Sequence, residues 1–242
     1  MKIGIFDSGI GGLTVLKNLY NNYPNNEYIY LGDTINLPYG SKTKEELENL
    51  SSKDVEFLLN KNVDIIIIAC GTVSSNCYKY LKNKYQIPIY DIISPTIEYI
   101  NNSNFKSIGI IATEATINSH IFKQNITKSK NIFEIKTPKF VPIIENNNHQ
   151  ELNKVIDEYL KEYKDKLDIL ILGCTHYPII ASNLKEYLNN NTKLLDMSEP
   201  LLNKITNNNK SSINIYFSKL TNENIENTKN ILNIDNIEIK EI

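Results

Sequence analysis

Two apolar runs that each lead into a cysteine constrain the fold of this chain more than any other feature. The first, four isoleucines at 65–68, is followed by Ala69 and Cys70, and the second, Ile-Leu-Ile-Leu at 169–172, is followed by Gly173 and Cys174. Apolar runs without polar alternation are typical of strands buried on both faces of a parallel sheet. Such sheets bind ligands at the carboxyl ends of their strands, so two thiols there predict a paired-cysteine active site.

Strand-like and helix-like segments alternate along almost the whole chain, which predicts an α/β fold with mainly parallel sheets. Strands or extended segments are expected at 3–6, 28–31, 63–69, 87–91, 107–112, 133–136, 139–144, 167–173, 193–196, 213–217 and 237–242. Helices are expected at 11–20, 44–60, 76–84, 117–123, 151–163, 179–187 and 222–231. The Gly71-Thr72 pair after the first cysteine is expected to form a turn.

The two halves of the chain correspond in sequence. Residues 4–8 match residues 109–113 at an offset of 105, and Cys70 matches Cys174 at an offset of 104. We therefore predict two similar α/β lobes with the active site in the cleft between them. The first lobe is expected to comprise residues 1–93 completed by 208–242, and the second residues 94–207. The alternative explanation of this correspondence is that α/β units resemble one another in general.

Charge and composition exclude several function classes. The formal net charge is −2 and no basic stripe is visible, which argues against a nucleic-acid partner. No apolar run is long enough to cross a membrane, and no signal peptide precedes the first strand. Three cysteines without an export signal indicate reduced thiols and a cytoplasmic location. The chain has no Arg, so an acidic ligand must be held by backbone N–H groups, hydroxyls, amides or Lys.

The segment Asp-Ser-Gly-Ile-Gly-Gly at 7–12 follows the first strand and opens a helix. A Gly-rich turn in this place often binds phosphate, but the spacing does not fit a dinucleotide fingerprint and no Gly-Lys-Ser/Thr follows. Asp7 would also repel an anion. We interpret Asp7 as a titratable partner and Ser8, with the turn amides, as a holder of a small polar ligand.

The cysteines allow more than one interpretation. Cys70 could be a plain buried thiol, although its place at a strand end argues for a site, and Cys77 is interpreted as structural. Neither forms a metal set with a nearby His. Cys174 and His176 could be the nucleophile and base of a cysteine hydrolase. A hydrolase needs one thiol, whereas a reaction that removes a proton on one face of a carbon and returns one on the other needs two bases.

Three segments together resemble the glutamate racemase family, within the cofactor-independent aspartate/glutamate racemase superfamily. They are 7–12, the stretch from Gly-Asp at 32–33 to Pro-Tyr-Gly at 38–40, and Gly-Cys-Thr-His-Tyr-Pro at 173–178. Thr-Glu-Ala-Thr-Ile at 113–117 and Phe-Val-Pro-Ile-Ile-Glu at 140–145 also fit the family pattern. The resemblance covers essentially the whole chain.

The resemblance implies a role for each matching residue. Cys174 would take the α-proton from the L-isomer and Cys70 from the D-isomer, with Asp7 tuning Cys70, and His176, supported by Glu145, tuning Cys174. The residues implied to hold the substrate are Asp7, Ser8, Pro38, Tyr39, Gly40, Gly71, Thr72, Thr113, Thr116 and Thr175. Relatives usually carry Asn after the first cysteine, where this chain has Gly71.

The activity implied is racemisation of L- and D-glutamate without cofactor or metal, and it would supply D-glutamate for peptidoglycan, and hence for cell wall biogenesis and cell shape. The expected partner is the small-molecule substrate, and a homodimer is compatible with the resemblance. Three alternatives stay open: an aspartate or broader amino-acid racemase of the same superfamily, a non-catalytic binding protein descended from a racemase, and the cysteine hydrolase.

Overall fold

Ten parallel strands form two sheets in the computed structural model, which describes residues 1–146, 148–189, 191–207, 209–234 and 237–242. In chain order the strands are β1 (Lys2–Asp7), β2 (Glu27–Gly32), β3 (Ile65–Ile68), β4 (Ile89–Asp91), β5 (Ser107–Ala112), β6 (Asn131–Lys136), β7 (Ile169–Leu172), β8 (Lys193–Asp196), β9 (Ser212–Phe217) and β10 (Glu238–Glu241). The first sheet has the order β10-β9-β2-β1-β3-β4 and the second β6-β5-β7-β8. We call each sheet with its helices a lobe, and the predicted fold class of two α/β lobes is confirmed.

Helices connect the strands, as parallel pairing requires. They are α1 (Leu13–Asn22), α2 (Lys44–Asn60), α3 (Gly71–Lys84), α4 (Ile93–Asn101), α5 (Glu114–Asn118), α6 (Ile121–Asn125), α7 (Phe140–Glu145), α8 (His149–Leu160), α9 (Ala181–Tyr187), α10 (Ser198–Leu201) and α11 (Asn222–Leu232). Short 3₁₀ helices lie at Thr34–Asn36, Tyr39–Ser41, Tyr177–Ile180 and Leu202–Lys204. None of the helices in the described ranges is both long and apolar enough to cross a membrane.

The four strands β1–β4 and the four strands β5–β8 repeat the same pairing. Ile3 pairs with Ile65 in the first sheet, and Ile108 pairs with Ile169 in the second, which gives offsets of 105 (108 − 3) and 104 (169 − 65). These are the offsets found in the sequence. The two lobes are therefore pseudo-symmetric down to strand register. The predicted residue boundaries between them remain a prediction.

Several predictions of local structure were wrong, and one of them is the single helix expected at 117–123, which is two short helices, α5 and α6. The segment at 139–144, expected to be extended, is mostly the helix α7, because burial of Phe140, Ile143 and Ile144 follows helical spacing. The Gly71-Thr72 pair is no turn but the first turn of α3, which begins five residues earlier than expected. Helix α4 was not expected; both Ile93 N–H and Ser94 N–H are satisfied by the Asp91 carboxylate, at 2.7 Å each.

The strand edge of β2 that faces away from β1 is covered by β9, which pairs with it in parallel from Glu27–Ser212 to Gly32–Phe217. Strand β10 continues the sheet beyond β9. A single cluster of buried apolar side chains runs through both lobes, with Leu16 and Ile67 from the first and Ile110 and Ile171 from the second. The lobes thus share part of their core, and the carboxyl ends of β1, β3, β5 and β7 lie around the cleft.

Candidate active site

A cavity of about 400 Å³ lies between the lobes at the carboxyl ends of the central strands. Both thiols named from the sequence line it. The other predicted residues that line it are Asp7, Ser8, Pro38, Tyr39, Gly40, Gly71, Thr72, Thr113, Glu145, Thr175 and His176. The cavity therefore brings together residues from segments more than 160 positions apart in the chain.

Cys70 lies two residues after the end of β3 and immediately precedes α3. The residue is 4% exposed, and its thiol donates to Ser8 Oγ at 3.8 Å. Burial raises the pKa of Cys70 well above its ordinary value, and the nearby Asp7 carboxylate raises it further. This environment keeps the proton on the first thiol.

Asp7 ends β1 and is completely buried. Its Oδ2 accepts hydrogen bonds from the Gly12 N–H at 2.7 Å and from Thr175 Oγ1 at 3.4 Å. Its Oδ1 is buried and has no hydrogen-bond partner among the described residues. A buried carboxylate oxygen without a donor is costly. A cationic group of a ligand in the cavity is the kind of partner that this carboxylate lacks.

The second thiol has a basic neighbour. Cys174 Sγ lies 3.7 Å from His176 Nδ1, and His176 Nε2 lies 3.0 Å from Glu145 Oε1. Burial alone would lower the pKa of His176, but the hydrogen bonds and charges of Cys174 and Glu145 outweigh it and raise the pKa to about 10. An imidazolium at neutral pH can donate to the sulfur and stabilise negative charge on it.

Threonine hydroxyls join the lobes along one wall of the cavity. Thr72 Oγ1, in the first turn of α3, lies 3.0 Å from Thr113 Oγ1 at the start of α5. Thr113 Oγ1 also lies 3.0 Å from Thr116 Oγ1. Thr116 is fully buried behind this pair and is not among the residues that line the cavity, and its contact with a ligand stays a prediction. The wall offers hydroxyl groups and the N-terminal amides of α3 to an anionic group.

The lobes touch backbone to backbone at Gly71 and Gly173. A Cβ built on Gly71 would lie 2.6 Å from the Gly173 carbonyl oxygen, closer than real Cβ atoms approach such an oxygen. The Asn that relatives usually carry at this position therefore does not fit here, because its Cβ would clash with the Gly173 carbonyl oxygen. Because Gly71 has no side chain, the backbone that follows the first cysteine strand can contact the backbone that follows the second.

The loop that carries Pro38, Tyr39 and Gly40 is held from behind by two acids. The Tyr39 hydroxyl lies 2.6 Å from Asp33 Oδ2 and 3.3 Å from Asp54 Oδ2. Burial and the neighbouring Asp33 raise the pKa of Asp54 well above its ordinary value, which favours a neutral Asp54. The Tyr39 hydroxyl has a single proton and can donate it to only one of the two acids. A neutral Asp54 provides the proton for the second hydrogen bond.

Several cavity residues were not among the predicted site residues. Thr137, Val141, Pro142 and Gly173 line the cavity, and Thr137 Oγ1 lies 2.7 Å from the Tyr177 hydroxyl. Val141 and Pro142 fall in the segment taken as extended. A helical interpretation of 140–145 would have placed them one turn before Glu145, on the wall of the site.

The known proteins that are similar to this chain in sequence are racemases. Residues 22–200, about three quarters of the chain, match the model of the Asp/Glu/Hydantoin racemase family. The glutamate racemase of Aquifex pyrophilus is 39% identical, over 91% of this chain and 90% of its own. That of Hydrogenobaculum sp. (strain Y04AAS1) is 40% identical, over 93% and 91%.

Solved structures agree with these sequence matches. The glutamate racemase of Francisella tularensis, crystallised with D-glutamate, superposes with a TM-score of 0.88 at 32% identity, covering 100% of this chain and 96% of its own. The glutamate racemase of Campylobacter jejuni gives a TM-score of 0.87 at 33% identity, covering 98% and 100%. Both similarities extend over essentially the entire length of each chain.

Proposed function

This chain belongs to the Asp/Glu/Hydantoin racemase family and is a glutamate racemase, an isomerase. From that premise we propose that it interconverts L- and D-glutamate with two cysteines as its bases. The observation that carries the proposal is the cavity lined by Cys70 from one lobe and Cys174 from the other. Each thiol has its own polar neighbour, Asp7 or His176 with Glu145.

The proposed turnover needs the two thiols in opposite protonation states at its start. Cys70, with its raised pKa, keeps its proton, and His176 Nδ1 lies 3.7 Å from Cys174 Sγ, where an imidazolium can donate a hydrogen bond to the sulfur. For L-glutamate, the Cys174 thiolate takes the α-proton and leaves a carbanion. The Cys70 thiol then donates its proton to the opposite face, which gives D-glutamate and a Cys70 thiolate. The reverse direction uses the same groups in the opposite order.

The substrate's charged groups match the polar groups of the cavity. The unpartnered Asp7 Oδ1 supports a role in binding the α-ammonium group. The N-terminal amides of α3 and the hydroxyls of Thr72 and Thr113 are suited to a carboxylate, which fits a chain that has no Arg. Preorganised donors of this kind stabilise the carbanion that forms next to the carboxylate.

We further propose that the product D-glutamate serves peptidoglycan synthesis in the cytoplasm. The support for this role is the family resemblance, and the support for the location is that all three cysteines are free thiols. Expression in a bacterial strain that depends on added D-glutamate tests the role. We expect the wild-type chain to restore growth without D-glutamate and a Cys70→Ala variant to fail.

The proposed reaction is tested with L-glutamate, D-glutamate and both aspartates, without added cofactor, by circular dichroism. We expect racemisation of the two glutamates, with Cys70→Ala and Cys174→Ala each losing at least roughly 10²–10⁴-fold in rate, the usual contribution of a general acid or base. Cys77→Ala is the matched control, because Cys77 is buried outside the cavity. A Cys70→Ala variant that keeps its rate contradicts the two-base mechanism.

Exchange of the α-hydrogen in D₂O assigns each thiol to a face. With Cys70→Ala, Cys174 can still remove and return a proton on the face that L-glutamate presents. We therefore expect deuterium to enter L-glutamate but not D-glutamate, and the opposite in Cys174→Ala, as measured by proton NMR. Deuterium entering the same enantiomer in both variants contradicts the assignment.

A further inference from the structure

We propose that Thr14 positions the second thiol: its hydroxyl, on the first lobe, holds the backbone of the loop that carries Cys174 and His176 on the second. This inference rests on the proposed function of the same site. Thr14 lies in the first turn of α1, and its Oγ1 is 2.9 Å from the Thr175 carbonyl oxygen, 161 residues away in sequence.

The Thr175 carbonyl needs a donor because of the proline that follows it. The carbonyls on either side of it bond to the N–H three residues ahead: Tyr177 N–H donates to Cys174 at 3.1 Å and Ile179 N–H donates to His176 at 3.1 Å. The corresponding residue for Thr175 is Pro178, which has no N–H. The Thr14 hydroxyl supplies the hydrogen bond that the loop cannot make for itself.

The single proton of the Thr14 hydroxyl has two acceptors within reach. Its Oγ1 lies 2.9 Å from both the Gly11 and the Thr175 carbonyl oxygens. The Gly11 carbonyl already accepts the Thr14 N–H at 3.0 Å, so it loses little when the hydroxyl turns away. Leaving the Thr175 carbonyl without any donor costs more free energy than leaving the Gly11 carbonyl with one donor. The proton therefore goes to Thr175, across the boundary between the lobes.

The first turn of α1 also contacts the loop on either side of this hydrogen bond. A Cβ on Gly11 would lie 2.5 Å from both His176 Nδ1 and Thr175 Oγ1, so the imidazole packs directly on the glycine backbone. Thr175 Oγ1 in turn reaches Asp7 Oδ2 at 3.4 Å. The hydrogen bond from Thr14 thus fixes the peptide between the two chemical groups, Cys174 and His176.

Three variants isolate the hydroxyl. Thr14→Val keeps the shape and removes the donor, while Thr14→Ser keeps the donor. Thr228→Val is the matched control, because the Thr228 hydroxyl donates to the Asn224 carbonyl at 2.6 Å within α11 and does not line the cavity. We expect Thr14→Val to lower kcat/KM about tenfold, the effect of one hydrogen bond of ordinary strength, and the other two variants to stay close to wild type.

Primary isotope effects separate positioning of Cys174 from a general loss of folded enzyme. Enantiomers have equal free energy, so kcat/KM must fall equally in both directions, but the isotope effects need not agree. If the Cys174 step is slowed, the isotope effect on kcat/KM rises with [2-²H]-L-glutamate and falls with [2-²H]-D-glutamate. A loss of folded protein changes neither effect.

The outcomes are distinguishable from failure of the proposed function. A wild-type enzyme that does not racemise glutamate overturns the function itself. An active wild type whose Thr14→Val variant keeps its rate, or loses rate with both isotope effects unchanged, overturns the role of Thr14. A Thr14→Ser variant as impaired as Thr14→Val does so as well, because it retains the hydroxyl.

Discussion

Cys70 and Cys174 occupy matching places in the two lobes but differ in what surrounds them. Cys70 is next to the carboxyl group of Asp7, while Cys174 is next to the protonated imidazole of His176, which Glu145 supports. Equal scaffolds with opposite electrostatic neighbours are what a two-base reaction requires, because one thiol must start protonated and the other must not. The asymmetry is carried by single side chains rather than by the backbone.

The pKa of His176 predicts how stability varies with pH. Its pKa is about 10 in the folded protein against an ordinary 6.5, so the folded state binds this proton more tightly than the unfolded state. The resulting stabilisation is complete below pH 6.5 and is lost as the pH rises to about 10. We expect the difference in free energy of unfolding between wild type and His176→Gln, measured with urea, to shrink between pH 7 and 10. A difference that stays constant over this range contradicts the prediction.

Gly71 predicts the consequence of adding a single carbon. Gly71→Ala places a Cβ 2.6 Å from the Gly173 carbonyl, and a backbone atom cannot move aside without its strand. The thiols then separate, and displacements of about 1 Å at reacting groups can lower rates about 10²-fold. We expect kcat/KM to fall by about 10–10²-fold in a racemisation assay.

A matched glycine separates this effect from the general cost of a new methyl group. In Gly4→Ala the nearest atoms to the new Cβ belong to the side chains of Leu58 and Val63, at 3.1–3.2 Å, and Gly4 lies inside β1 and does not line the cavity. We expect Gly4→Ala to keep its rate. If Gly71→Ala also keeps its rate, the close contact between the lobes is not needed for activity.

Some site residues could be predicted from sequence and others could not, for a physical reason. Asp7, Cys70, Cys174 and His176 lie at the end of a strand or within four residues after it, where an apolar run identifies the edge of a sheet. Thr14 carries no such mark, since its partner lies 161 residues away and its role depends on what Pro178 lacks. Residues that act through a distant backbone group need the fold before they can be assigned.

At the scale of elements, strands were predicted more faithfully than short helices. Strand β8 and helix α2 have the expected bounds, because their apolar pattern or cap is local: Thr43 and Glu46 form a capping box at the start of α2. Helix α7 was misjudged because its segment is rich in Val and Ile, which favour strands. Tertiary burial of one face overrode that preference.

Strand β9 connects the C-terminal part of the chain to the active-site loop. Ser218, directly after β9, donates a hydrogen bond to Asp33 Oδ1 at 2.7 Å and accepts one from the Ile35 N–H at 3.0 Å. Asp33 in turn accepts from Tyr39, which lines the cavity. The last sheet strands therefore support the site without entering it.

At the scale of the whole molecule, completion of the first sheet by β9 predicts how truncation acts. Removing residues 209–242 exposes the edge of β2 and the face of α1 that packs on α11, so we expect loss of cooperative urea unfolding, followed by circular dichroism. Removing residues 237–242 deletes only the edge strand β10, which is mostly exposed, and we expect cooperativity to remain. Cooperative unfolding of the longer truncation contradicts the prediction that this segment completes the first lobe.

The order of strands in the first sheet also determines when each strand can pair while the chain is synthesised on the ribosome. Glu27 of β2 pairs with Ser212 of β9, which is synthesised 185 residues later (212 − 27). All four strands of the second sheet are synthesised before it. At ordinary rates of synthesis that delay lasts roughly 10–40 s. For that time an apolar strand edge is open to pairing with other chains, so the nascent protein is most in need of a chaperone before β9 emerges.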